Sequence, residues 1–203
     1  MYRRPTYLWR GTVAKPDSNY YCHESSYIDD NVSIGDGTKI WHFCHILPGT
    51  TIGKNCSLGQ NVMAGPDVII GNGCKIQNNV ALYKGVILED GVFCGPSMVF
   101  TNVTTPRSEV NRQSEYVITL VRKGVTIGAN ATIVCGHELG EYCFIGAGAV
   151  VTKDVKPHAV MAGVPAKQIG WVAHSGEMLR DDLKCPRTGD QYEVVDENLV
   201  RKP

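Results

Sequence analysis

Every sixth residue from Ile28 to Phe100 is apolar: Ile28, Ile34, Ile40, Ile46, Ile52, Leu58, Ala64, Ile70, Ile76, Leu82, Leu88, Cys94 and Phe100. One more step back reaches Cys22. An amphipathic helix repeats at roughly 3.6 residues and a half-buried strand at about two, so neither explains a period of six. The residue four places on is small or β-branched, as in Val32, Thr38, Cys44, Thr50, Cys56, Val62 and Val68. The residue three places on is mostly Gly or Asn, the types that tolerate a positive φ. One large apolar residue, one small one and one sharp corner per six residues describe one side of a triangular coil. Three such sides make one turn of a parallel β-helix.

The period fails over residues 105–120, "TPRSEVNRQSEYVITL", and resumes shifted by three at Val121, Ile127, Ile133, Leu139, Ile145 and Val151. The pattern predicts six to seven coils over residues 22–156, with residues 105–120 as a loop thrown out from one corner. Residues 1–21 form an N-terminal extension outside the repeat, and 157–203 a C-terminal segment. A long loop on a rigid scaffold is a usual place for function.

Lys and Arg total 20 and Asp and Glu total 20, so no net field recruits nucleic acid or an anionic membrane. The first residues, "MYRRPTYLWRGTVAKPDSN", lack the apolar stretch of a secretion signal, and a cytoplasmic location is expected. The eight cysteines contain no CxxC or CxC pair. Cys44, Cys56, Cys74 and Cys143 fall at the small interior position and Cys22 and Cys94 at the large one, so six are expected as core hydrophobes. Cys135 and Cys185 fall outside the pattern. "CPRTGDQY" at 185–192 resembles half a zinc knuckle, but no second cysteine pair follows it, and no metal is expected.

The hexads together with "GAGAVVTKDV" and "GVPAKQIGW" resemble the left-handed parallel β-helix acyltransferases, over roughly residues 22–172. That resemblance implies an all-β fold, an acyl-CoA or acyl-carrier co-substrate, and a left hand that the spacing itself does not reveal. "IWHFCHI", "SLGQNV", "CKIQNNV" and "VFCGPSMVFTNV" followed by "PRS" are similar to a narrower group. These are the bacterial enzymes that acetylate the 3-amino group of UDP-2-acetamido-3-amino-2,3-dideoxyglucuronate in lipopolysaccharide O-antigen synthesis. The resemblance implies acetyl-CoA as co-substrate and a homotrimer with sites between neighbouring prisms.

Acetyl transfer from a thioester to an amine needs a neutral amine, an aligned carbonyl and stabilisation of the tetrahedral oxyanion. The departing CoA thiolate can collect the proton, so a strong protein base is not obligatory. Asn78 and Asn79 are the first candidates: the resemblance implies that one of them accepts from the sugar amine and orients its lone pair. Asn79 also falls at a corner, where Asn serves simply to take a positive φ. His42 is the other candidate, as base or as sugar ligand, because Trp41, His42 and Phe43 displace the usual Gly and Asn of a corner. His45 reads equally as a solvated face residue, and His137 as packing at a small interior position.

For the sugar nucleotide, Phe43, Tyr83, Lys84, Asn102 and Arg107 are the expected contacts. Arg107 suits a bidentate grip on a carboxylate or phosphate, and Tyr83 a stack on uracil or sugar. For acetyl-CoA the resemblance implies Gly128, Gly146, Lys153, Gly163, Ala166 and Lys167. Two other activities of the fold compete. A hydroxyl acyltransferase would need a committed His base. A γ-class carbonic anhydrase would need three His on zinc, for which His42, His45 and His137 are the trio.

Overall fold

The computed structural model of the protein describes residues 19–202; the rest of the N-terminal extension lies outside the described residues. Eighteen short strands, from Tyr21–Cys22 to Glu138–Leu139, wind through three parallel sheets and complete six turns. Phe144–Ile145, Val150–Val151 and a bridge from Leu139 to Val155 build a seventh. The first side begins with Tyr21–Cys22 and Lys39–Ile40, the second with Tyr27–Ile28 and His45–Ile46, the third with Ser33–Ile34 and Thr51–Ile52. This is the all-β parallel β-helix that the hexads predict, consistent with the left-handed hexapeptide-repeat fold.

The interior is the predicted one. Ile40, Ile46, Leu58, Ala64, Leu82, Cys94, Ile127, Ile133, Leu139, Ile145 and Val151 are fully buried. The small position does more than fill space. Thr38 Oγ1 donates to the Gly53 carbonyl at 2.8 Å, Cys44 Sγ to Gly59 O at 3.0 Å, and Cys56 Sγ to Gly71 O at 3.1 Å. Cys74 Sγ donates to Glu89 O at 3.1 Å. Hydroxyl and thiol thus satisfy a buried carbonyl of the next coil, which explains why Thr and Cys alternate with Val there.

One expectation needs correction. His137 is not interior: its side chain is 27% exposed and its Nδ1 meets Asp154 Oδ1 at 3.3 Å. Glu138–Leu139 is the outer strand of the third sheet, so no full strand stacks beyond His137 to bury it. Cys135, outside the hexad pattern, is nonetheless buried, with its N–H held at 2.9 Å by Thr101 Oγ1.

Backbone N–H groups at the corners bond to side chains 18 residues away on the neighbouring coil, as from Phe43 N–H to Ser25 Oγ; across the loop the same step spans 34, from Cys135 to Thr101. The loop leaves the corner between the second and third sides and is closed at its root by Val117 N–H to Asn102 O, 3.3 Å. Within it a 3₁₀ turn at Gln113–Glu115 follows Arg112, whose guanidinium pairs with Glu115 at 2.8 Å.

At the far end Ala159–Ala162 adds to the first sheet beside Phe144–Ile145 and pairs antiparallel with Lys167–Trp171. Beyond it a second small core of Ala173, Cys185, Tyr192 and Leu199 carries the hairpin Tyr192–Val195 and Asn198–Arg201. This module meets the prism through rings: Tyr142 stacks on His158 at 5.4 Å and lies 4.2 Å from His174. Burial holds His158 below the usual imidazole range, although its Nδ1 donates to Val172 O at 2.9 Å.

Candidate functional site

The corner between the first and second sides changes character along the prism. In the early coils it carries His23, then Trp41, His42 and Phe43, then Gln60 and Asn61, then Gln77, Asn78 and Asn79. In the late coils it carries Gly128, Ala129 and Asn130, then Gly146, Ala147 and Gly148. A cavity of about 280 Å³ opens among the early residues, lined by Trp41, His42, Gln60, Gln77 and Asn78. It is the one place where the structure brings two predicted catalytic residues, His42 and Asn78, together.

The backbone fixes Asn78. Its Oδ1 accepts the Gln60 N–H at 3.0 Å, as Asn72 Oδ1 accepts the Lys54 N–H at 2.9 Å on another corner. A backbone N–H only donates, so the amide oxygen is identified without ambiguity, and one of its two lone pairs is engaged. Asn79 takes the corner conformation with φ 61°, and its Oδ1 accepts from Asn61 Nδ2 at 3.1 Å. Phe43, at φ 57°, stands beside His42 and is 60% exposed.

His42 is held by a residue that the hexad reading passed over. The His23 ring stacks on it with centroids 3.5 Å apart. Nδ1 of His23 accepts the Ser25 N–H at 3.2 Å and lies 2.9 Å from Ser25 Oγ, which itself accepts the Phe43 N–H at 3.0 Å. The signal was in the sequence at a stride of eighteen, which sets His23 beside Trp41 and His42 on the next coil.

The other predicted sugar contacts lie elsewhere. Tyr83, Lys84 and Asn102 occupy the corner between the second and third sides, and Arg107 is exposed on the loop that leaves it. Lys84 Nζ pairs with Asp67 at 2.8 Å. A cavity of about 230 Å³ in the loop is lined by Arg107, Arg112 and Tyr116, among others.

Of the residues expected at the co-substrate, Gly163 and Ala166 cap the second sheet. Val150 N–H bonds to Gly163 O at 3.0 Å, and Ala166 N–H to Val150 O at 2.8 Å. Gly128 is demanded by coil stacking, since a Cβ there would lie 2.5 Å from Ala147 N. Gly146 N–H bonds to Met161 O at 2.7 Å. Lys153 and Lys167 are exposed at the same end of the prism.

The three histidines considered for zinc are spread over one chain. His42 is at the first corner, His45 faces outward on the second side with Nε2 3.0 Å from Asp29, and His137 meets Asp154. Among the described residues no group of three His, Cys, Asp or Glu is arranged to hold a metal ion. Nor does any described helix have the length and apolarity to cross a membrane.

The family model "Bacterial transferase hexapeptide (six repeats)" matches residues 31–66, and "Hexapeptide repeat of succinyl-transferase" matches 49–84 and 123–153. The dTDP-3-amino-3,6-dideoxy-α-D-galactopyranose 3-N-acetyltransferase of Aneurinibacillus thermoaerophilus is 43% identical over 178 residues, covering 87% of this chain and 92% of that enzyme. The chain belongs to the hexapeptide-repeat acetyltransferase family. As a member of it, the protein is an acyltransferase. Two solved structures share the fold of this acetyltransferase. One is a Bacillus cereus protein described as an acetyltransferase, with TM-score 0.50 and 24% identity over 77% of this chain and 86% of that one. The other is the UDP-N-acetylglucosamine acyltransferase of Campylobacter jejuni, with TM-score 0.50 and 15% identity over 74% of each chain. Neither family model covers residues 85–122, the stretch that holds the loop and distinguishes this acetyltransferase from a bare repeat.

Proposed function

We propose that the enzyme transfers the acetyl group of acetyl-CoA to the 3-amino group of a nucleotide-linked sugar. We propose further that this sugar is UDP-2-acetamido-3-amino-2,3-dideoxyglucuronate, a precursor for O-antigen. The observation that carries the reading is likeness along nearly the whole length to an enzyme named for acetylating a sugar 3-amine. That relative's substrate is a dTDP-linked 3,6-dideoxy sugar, so nucleotide and C6 group are the open variables.

In this reading the amine enters the cavity between His42 and Asn78. The free lone pair of Asn78 Oδ1 accepts one amine hydrogen, and its bond to Gln60 fixes the direction of that acceptor in advance. The amine lone pair attacks the thioester carbonyl. The C–S bond then breaks, and the CoA sulfur leaves with the proton released by the new amide, either directly or through His42. The pantetheine arm runs along the same corner past Gly128 and Gly146, where the residues are small.

The second set of contacts implies a neighbouring copy. Each side of the prism has six residues at about 3.3 Å each, so its two corners are up to about 20 Å apart. We therefore read the His42 and Arg107 that meet one sugar as belonging to two neighbouring chains. The outward residues of the second side include Met63, Ala81, Val99, Thr132 and Val150, with no Lys, Arg, Asp or Glu along its strands. A face whose strands bear no Lys, Arg, Asp or Glu, with the His45–Asp29 pair confined to its first two coils, lies between two half-sites and favours packing there in a closed trimer. Light scattering should return about three times 22.2 kDa. A monomer would remove the intersubunit site.

The substrate test is a panel of 3-amino sugar nucleotides, UDP- and dTDP-linked, each with and without a C6 carboxylate, read by CoA thiol release. Preference for the UDP-linked uronate is expected, weakened in Arg107→Ala. A preference for the sugar lacking the carboxylate overturns the finer assignment and leaves the acetyltransfer standing.

A further inference from the structure

We propose that His23 is a positioning residue for His42, a role that rests on the cavity above being the acetyl-acceptor site. The Ser25 backbone N–H reaches His23 Nδ1 at 3.2 Å, and an N–H cannot accept, so Nδ1 presents a lone pair. The Ser25 hydroxyl accepts from Phe43 N–H at 3.0 Å, leaving its own hydrogen to point at the same Nδ1, 2.9 Å away. Two donors at one nitrogen select the neutral imidazole with its hydrogen on Nε2.

That neutral ring lies against His42 with an interplanar angle of 27° and centroids 3.5 Å apart. His42 sits on a corner beside Phe43, which takes φ 57°. The stack supplies what the corner does not: one face of His42 is covered, and the other is turned over to the cavity it shares with Asn78 and Gln60. Neutrality matters to this arrangement. A neutral aromatic face tolerates a cation laid on it, whereas a charged His23 would repel one. The Ser25 lock therefore sets an aromatic face with its Nδ1 lone pair already engaged beneath His42.

Ser25 also ties the device to the fold. Its hydroxyl joins the first coil to the second through Phe43 N–H, so the height of His23 is set by coil stacking. The ring is thus placed by the coil spacing and by two hydrogen bonds.

The test compares His23→Ala, His23→Leu and His23→Phe. Phe restores an aromatic face, and Leu restores volume without one. In the resting protein, the His42 ring protons in the NMR spectrum should shift when the stack is removed in Leu, and stay close to the native position in Phe. This readout needs no substrate, so it stands or falls separately from the acetyltransfer reading. In the assay, His23→Leu should lower kcat for the amino sugar about tenfold to a hundredfold with little change in KM for acetyl-CoA, as expected for misplacing one reacting group. His23→Phe should recover most of that loss. His42 resonances that do not respond to Leu overturn the proposal, as does equal activity of Leu and Phe. If His23→Ala does not fold, the Leu and Phe pair carries the comparison alone.

Discussion

Asn78→Ala and Asn72→Ala make a matched pair that separates architecture from chemistry. Each asparagine accepts a backbone N–H from the preceding coil, at 3.0 Å for Asn78 and 2.9 Å for Asn72, and both are exposed. Removing either bond should cost about 1 kcal/mol, the net worth of one such hydrogen bond. For a chain of this size that is a fall of about 2–4 °C in Tm. Asn72 also donates to Asp90 at 3.2 Å, so its loss should be the larger of the two. Only Asn78 lines the cavity with His42. If it orients the amine, Asn78→Ala should lower kcat by about 10- to 1000-fold, the range for losing a single positioning contact. That equals about 1.4–4 kcal/mol of transition-state stabilisation. Thermal melts at one subunit concentration and CoA thiol release under saturating substrates supply both numbers. An equal loss of kcat in Asn72→Ala would show that coil stacking limits the rate. A native kcat in Asn78→Ala would reduce Asn78 to a corner brace.

Cys56→Thr should preserve stability because Oγ1 can donate to Gly71 O as the thiol does, whereas Cys56→Val should lose about 1 kcal/mol by leaving that carbonyl unpaired; denaturant midpoints at constant m distinguish them. Burial pushes the Cys94 and Cys143 thiols up to about 12, so neither should react with a thiol reagent in the native protein at neutral pH, and rapid labelling of either would refute their placement. Cys185 is the contrasting case: the Ser175 hydroxyl and Thr188 hold it down to about 7, so in the folded module it should be labelled ahead of Cys94 and Cys143. Burial lowers the folded-state value of His158 below 6.5, so the unfolded chain binds its proton first, and stability should decline as pH falls below about 6.5. His174 and Glu141 are the charged groups that bear on it. His158→Phe should flatten that decline in pH-dependent melts, and an unchanged slope would assign it to other groups.

The prism was legible because a six-residue period repeats one environment twenty times over. A single large apolar position settles the inside, and Gly or Asn settles the corner. The loop was legible as an interruption, because the next two scheduled positions after Phe100 fall on Pro106 and Arg112, and the hexads resume only in a shifted frame at Val121. His137 was misplaced for a reason that the period cannot express. His137 immediately precedes the last full strand of the third side, beyond which only the bridge at Val155 is stacked, and its imidazole turns outward to Asp154. The thiols were read as packing alone because spacing does not show that a carbonyl of the next coil points at them.

The candidate site was half legible, and the missing half lies at a different stride. Six residues along the chain moves a residue to the next side, while eighteen moves it to the neighbouring coil at the same corner. Read at eighteen, Ser25 falls beside Phe43, and Gln60 between His42 and Asn78. Those are the pairs that the hydrogen bonds and the cavity then join. In a solenoid, the chemical neighbours of a residue are therefore one coil away in sequence, and a catalytic cluster appears as a column. The column here runs from imidazole and amide in the early coils to glycine and alanine in the late ones. That order suits an acceptor with polar groups to be recognised at one end and a slender thioester arm at the other. The second-to-third corner, with Tyr83, Lys84 and the root of the loop, has no such column facing His42 in the same chain. Under the proposed reading, its contribution to the reaction would come from another copy of the prism. Mixing Asn78→Ala subunits with Arg107→Ala subunits tests that reading directly. If sites are shared between chains, mixed trimers should regain activity that neither variant has alone, because some interfaces then hold both native half-sites. If each chain is complete in itself, mixing should only average the two.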